Sequence, residues 1–138
     1  MSEIPKATGL IFVDDDNLDR KLYERLLERT EFTDGAMMFP YAQQALDYLK
    51  LPDRDVVNVI FLDINLPRMT GVEFLNAAIE QLGSAMDEIS VFFLTTSTNP
   101  ADRKLVDDFD CVKGYLNKPL AIEHLQEVAR IVSATDTD

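Results

Sequence analysis

Val59-Ile60-Phe61-Leu62-Asp63 is a run of β-branched, aromatic and aliphatic residues that ends abruptly in a carboxylate. Read with Val56 and Val57 before it, the stretch from Val56 to Leu62 has the near-continuous apolar character of a strand covered on both faces. Downstream, Thr70-Gly71-Val72-Glu73 carries the side chains of a capping box, so a helix is predicted to open there and to close at Gly83. A two-sided strand followed by a helix is one unit of a parallel sheet, and the rest of the chain decides whether the unit repeats.

It does. Upstream, Leu10-Ile11-Phe12-Val13 is strand-sized, and Leu18, Leu22, Tyr23, Leu26 and Leu27 recur behind it at helical spacing. Asp34-Gly35 marks a turn before Ala36-Met37-Met38-Phe39, where Pro40 points to a short edge strand. Ala42, Ala45, Leu46 and Leu49 then form one face of a short helix. After a loop from Ser84 to Glu88, a fourth strand is predicted over Ile89 to Leu94, and Asn99-Pro100 opens a fourth helix that reaches about Phe109. A fifth strand near Val112 to Leu116 precedes Pro119 and a last helix lined by Ile122, Leu125, Val128, Ala129 and Val132. Five strand–helix alternations predict an α/β fold, a five-stranded parallel sheet with helices on both faces, whose ligands bind at the carboxyl ends of the strands.

With 138 residues, 46% hydrophobic and 28% charged, the chain fits a single domain over residues 1–138. The apolar stretches are too short to span a membrane and the start shows no signal-peptide pattern, so a cytoplasmic location is expected. The net charge of −12 repels nucleic acid and anionic lipid, which argues against both as partners. Asp107-Asp108, Asp110 and the acidic tail are read as solubilising charge. Cys111, the single cysteine, is read as a small packing residue, and His124, inside the last helix, as a boundary residue without a catalytic part.

The acids that end apolar runs call for a different account. Asp14-Asp15-Asp16 follows the first strand, Asp63 ends the third, Thr95 follows the fourth and Lys118 the fifth, so all converge on one sheet edge. Clustered carboxylates repel, so either one holds a proton or a cation compensates them. A hard cation with oxygen ligands fits best, and Mg2+ takes only one or two carboxylates directly together with phosphate oxygens. Asp63 is then free to act as the nucleophile that forms an aspartyl phosphate, with Mg2+ and Lys118 neutralising the incoming oxygens and the Thr95 hydroxyl donating to one of them. Asp16 or Asn17 is read as the cap of the first helix.

Four segments together resemble the receiver domain of bacterial two-component response regulators: Phe12-Val13-Asp14-Asp15-Asp16, Phe61 to Gly71, Leu94-Thr95-Thr96-Ser97, and Gly114-Tyr115-Leu116-Asn117-Lys118-Pro119. The resemblance runs from about Leu10 to Val132. It implies the flavodoxin-like strand order 2-1-3-4-5 and a phosphorylation-dependent signalling switch, in which Asp63 accepts a phosphoryl group from a histidine kinase or histidine phosphotransfer protein. Asp14, Asp15, Asp63 and the backbone carbonyl of Asn65 would hold Mg2+. Lys118 would pair with the phosphoryl group, and its bond to Pro119 would be cis. Thr95 and Tyr115 would be the switch pair that reshapes the face made by the fourth helix, fifth strand and fifth helix. Output would pass through contacts with a downstream protein target, and the family also admits a phosphorylation-dependent homodimer. Such a protein is a phosphoacceptor with slow self-catalysed phosphorylation and dephosphorylation, not a turnover enzyme. The chain stops soon after the last helix, so no output domain is expected and it looks like a stand-alone, chemotaxis-regulator-like protein.

Three other readings compete. A phosphatase of the haloacid dehalogenase type uses a strand-end aspartate but needs a second aspartate two positions on, where Asn65 stands. A nucleotide-binding fold lacks its phosphate-cradling glycine loop here. An adaptor whose acids bind metal without phosphoryl transfer is distinguished by the effect of Asp63→Asn on partner binding.

Overall fold

A computed structural model describes residues 9–30, 36–64, 66–96, 104 and 107–136. Five parallel strands, β1 (Leu10–Val13), β2 (Ala36–Phe39), β3 (Val59–Asp63), β4 (Ser90–Thr95) and β5 (Val112–Asn117), form one sheet in the order β2-β1-β3-β4-β5. The strand order is the expected one, and β2, with Pro40 just beyond it, lies at an edge. The α-helices bounded within the described residues are α1 (Asn17–Thr30), α2 (Ala42–Leu49), α3 (Gly71–Leu82) and α4 (Ile122–Asp136). The helix predicted from Asn99-Pro100 lies largely outside the described residues.

Strand periodicity explains the two-sided core. Ile11, Val13, Ile60, Leu62, Val91 and Phe93 pack with residues of α2 and α3 on one face. Leu10, Phe12, Val59, Phe61, Phe92 and Leu94 pack on the other with Tyr23 and Leu26 of α1 and Leu125, Val128 and Ala129 of α4. Because every residue of β1, β3 and β4 is buried, no polar position marks a solvent face, which is why these strands read as unbroken apolar runs.

Several boundaries differ from the sequence reading. Strand β4 runs Ser90–Thr95, so Thr95 ends that strand instead of following it, and β5 extends to Asn117. Strand β3 begins at Val59, and Val56 is 65% exposed. The chain before it is diverted by Gly9 and Asn58: the Asn58 amide donates to the Gly9 carbonyl (3.1 Å) and the Gly9 amide to the Asn58 side chain (3.2 Å). The segment Ser84 to Glu88, read as a loop, lies within a 3-10 turn over Gly83–Glu88, where Met86 is buried. Gly83 itself ends α3 at φ 59°, a conformation that favours glycine. The N-terminus of α3 has the predicted capping box: the Glu73 amide donates to the Thr70 hydroxyl (3.2 Å) and the Thr70 amide to the Glu73 carboxylate (2.9 Å).

Candidate functional site

Hydrogen bonds just past the strand ends determine where the acids sit. The Asp14 amide donates to the Phe39 carbonyl (3.1 Å), Ile64 to Leu94 (3.0 Å) and Lys118 to Thr95 (2.9 Å). Phe12 and Phe61 are register partners, so Asp14 and Asp63, each two residues further on, emerge side by side on the face covered by α1. Asp14 is fully buried, Asp63 is 8% exposed and Thr95 4% exposed, while Asp15 lies at the surface. One carboxylate oxygen from each of Asp14, Asp15 and Asp63 lies within 4.8 Å of the other two. This is the only such cluster of potential ligands among the described residues.

Lys118 answers that concentration of charge. Its Nζ lies 2.8 Å from Oδ2 of Asp14, 3.0 Å from Oδ2 of Asp63 and 3.1 Å from Oδ2 of Asp19. Burial by itself would lower the ammonium's pKa, but hydrogen bonds to Asp14 and Asp63 and the charge of Asp63 outweigh it and hold the pKa above its ordinary value. The Lys118–Pro119 bond is cis, as the resemblance implies.

Helix α1 contributes more than the sequence reading gave it. Its cap is Asp16, whose Oδ1 accepts from the amides of Leu18 (2.8 Å) and Asp19 (3.1 Å). Asp19, unassigned in the sequence, faces Lys118. Arg20 donates to the Asp14 carbonyl at 2.8 Å. Tyr23, read only as one residue of an apolar face, donates its hydroxyl to Oδ2 of Asp14 at 2.5 Å. Burial, then the hydrogen bond and charge of Asp14, push the Tyr23 hydroxyl pKa far above the usual tyrosine range. The available signal was spacing: Asp19 and Tyr23 are four apart and share a helical face with Leu26 and Leu27.

On the opposite face of the sheet, Phe93 of β4 stacks on Tyr115 of β5 with ring centroids 6.3 Å apart. The Tyr115 hydroxyl donates to Asp107 at 2.5 Å, so this acid, read as surface charge, has a specific partner. His124 accepts from the Ala121 amide at 2.9 Å near the start of α4, a local structural contact. Cys111 is half-buried beside the core cluster under α2 and α3, and that burial raises its thiol pKa. Asn65 and Ser97 lie outside the described residues.

A parallel α/β sheet with clustered carboxylates and one ammonium at the carboxyl ends of its strands defines a class of phosphate- or cation-handling proteins. Within it, residues 10–130 match the model of the response regulator receiver domain, so the chain belongs to that family, the phosphoacceptor signalling switches of two-component systems. It is 32% identical over 120 residues to the probable methanogenesis regulatory protein FilR2 of Methanothrix harundinacea, covering 85% of this chain and 76% of the relative. Of the other curated relatives it matches, the chain spans between 7% and 53%. A two-component response regulator from Cytophaga hutchinsonii superposes with a TM-score of 0.82 at 20% identity, covering 94% of this chain and 98% of that one, a likeness of fold. The chemotaxis response regulator CheY4 of Vibrio cholerae gives 0.73 at 25% identity, with 92% and 99% covered. The family is a signalling one that works with histidine kinases or phosphotransfer proteins, and its members bind Mg2+ in an acidic pocket. Among the described residues no helix is long and apolar enough to cross a membrane.

Proposed function

We propose that Asp63 is the phosphoacceptor of this receiver, and that Asp14 and Asp15 with Asp63 hold the Mg2+ that assists it. The observation that carries this reading is the Lys118 ammonium in contact with both Asp14 and Asp63, beside a third carboxylate at the strand ends. An all-oxygen donor set with one surface-exposed member suits a hard cation that keeps part of its water. When bound, Mg2+ supplies positive charge for the equatorial phosphoryl oxygens.

An oxygen of Asp63 attacks the phosphorus of a phosphohistidine or of acetyl phosphate. The bond from phosphorus to the donor nitrogen or oxygen breaks, and the donor leaves with the electron pair. Lys118, already at the nucleophile, pairs with a phosphoryl oxygen and so moves from carboxylate to phosphate without crossing the pocket. Thr95, at the end of β4, supplies a hydroxyl to another, and the Tyr115 ring follows inward at the expense of its bond to Asp107. The carbonyl of Asn65 completes the ligand set in this reading. Self-catalysed gain and loss of the phosphoryl group are slow, and the signal passes through protein contacts in the cytoplasm. The net charge of −12 supports a protein target over nucleic acid.

The test is intact-protein mass after incubation with Mg2+ and acetyl phosphate. One added phosphoryl group in the wild type, absent from Asp63→Asn and from a chelated sample, is the expected result. Equal phosphorylation of Asp63→Asn would overturn the assignment.

A further inference from the structure

The hydroxyl of Tyr23 is a buried polar group that the phosphoryl-transfer reading leaves without a part. Its ring is the end of an aromatic row along the α1 face of the sheet: Tyr23 stacks on Phe12 at 4.9 Å, Phe12 on Phe61 at 4.5 Å, and Phe61 on Phe92 at 6.0 Å. The residue is 3% exposed. Packing against Phe12 fixes where the ring lies, and so fixes where its hydroxyl points, at Oδ2 of Asp14.

Both oxygens of that carboxylate are thereby held. Oδ1 accepts from the Asp16 amide at 3.0 Å, and Oδ2 takes the Tyr23 hydroxyl at 2.5 Å together with the Lys118 ammonium at 2.8 Å. A carboxylate offers about four lone-pair positions, so three are committed and one on Oδ1 remains for a cation or its water. Lys118 alone would not fix this orientation, because it divides its three protons among Asp14, Asp19 and Asp63 and is the group that must follow the phosphoryl.

We propose that Tyr23 is a positioning residue of the cation site, which locks the Asp14 carboxylate through its hydroxyl so that Oδ1 faces the bound divalent ion. The inference rests on the reading of Asp14, Asp15 and Asp63 as a Mg2+ site. Hydrogen-bonded partners of metal ligands typically contribute 10- to 100-fold in metal affinity, and an oriented but still hydrated Mg2+ ligand belongs near the lower end.

The experiment is calorimetric titration of the full chain with Mg2+, comparing wild type and Tyr23→Phe, which keeps the ring on Phe12 and removes only the hydroxyl. A dissociation constant about tenfold weaker in the variant, with unchanged stoichiometry, is expected. A constant within twofold of wild type, or a tighter one, overturns the inference even if the variant melts earlier, because a merely structural hydroxyl changes stability and leaves cation affinity alone. Wild-type protein gives a second readout by NMR. Mg2+ should shift the Tyr23 ring resonances and leave those of Tyr48 in place, whose hydroxyl accepts from the Asp55 amide at 3.2 Å. Unmoved Tyr23 resonances at saturating Mg2+ also overturn it. A wild type that binds no Mg2+ overturns the site reading and this inference together, whereas equal affinities overturn the inference alone.

Discussion

Replacing Lys118 by methionine tests the electrostatic logic of the pocket. At contact distances of 2.8, 3.0 and 3.1 Å, each ammonium–carboxylate pair has a gross attraction of about 5 to 6 kcal/mol at an effective dielectric near 20. Most of that is offset by the cost of taking the charges out of water, since the Lys118 side chain is 12% exposed and Asp14 fully buried. Removing one partner of a buried pair typically costs about 3 to 5 kcal/mol, because the other partner keeps its burial and loses its counter-charge. Methionine retains the apolar stem, so the loss reports the ammonium. Lys118→Met in chelator at pH 7.5 is therefore expected to lose about 3 to 5 kcal/mol in urea unfolding, at an unchanged slope. Mg2+ should recover part of it: without the competing ammonium the ion binds more tightly, and each tenfold gain in affinity adds about 1.4 kcal/mol at saturation. The folded pKa of Lys118 is raised, so its contribution is complete below the unfolded value near 10.5 and is lost as the pH rises through the folded value. The difference between wild type and variant should accordingly be flat from about pH 7 to 9.5. A loss under about 1 kcal/mol in chelator, or a penalty that Mg2+ leaves unchanged, would refute the argument.

Three further outcomes are expected. Tyr23 should resist alkaline ionisation: its raised pKa gives stability that is complete below the unfolded tyrosine value near 10 and lost above it. In chelator, the phenolate absorbance of wild type and Tyr23→Phe should coincide until unfolding begins, and an extra tyrosine titrating in folded wild type would contradict this. Thr70→Ala removes the acceptor for the Glu73 amide at the start of α3 and should lower stability by about 1 kcal/mol in urea unfolding. Gly9→Ala would drive a methyl carbon into the Val56 carbonyl oxygen, a backbone atom with no flexible end to yield. A loss of about 1 to 3 kcal/mol is expected from the forced shift, and a melting temperature equal to wild type would show that the contact opens freely.

The sheet and the acid edge were legible in the sequence because both rest on short-range periodicity. An unbroken apolar run of strand length states that both faces are covered, and alternation along Phe12-Val13-Asp14 and Phe61-Leu62-Asp63 carries two carboxylates off the strand ends with the same parity. The capping box before α3 and the cap of α1 by Asp16 are also local, each made within four residues. Even so, the start of β3 was misread, because exposed Val56 has the same strand propensity as buried Val59 and only the Gly9–Asn58 clamp tells them apart.

What only the tertiary structure decided is which helix side chains reach the site. Lys118 and Asp19 are 99 positions apart, and their meeting depends on how α1 is seated on the sheet. That seating is set by Tyr23 and Leu26 packing against Phe12 and its neighbours. The same packing turned an apparently apolar tyrosine into the hydrogen-bond donor of Asp14, and Tyr115, stacked on Phe93 of the neighbouring strand, gave Asp107 a partner. Helical spacing specifies which residues share a face, but the rotation and distance of that face from the strand ends follow from interdigitated side chains across the core, which no local pattern contains.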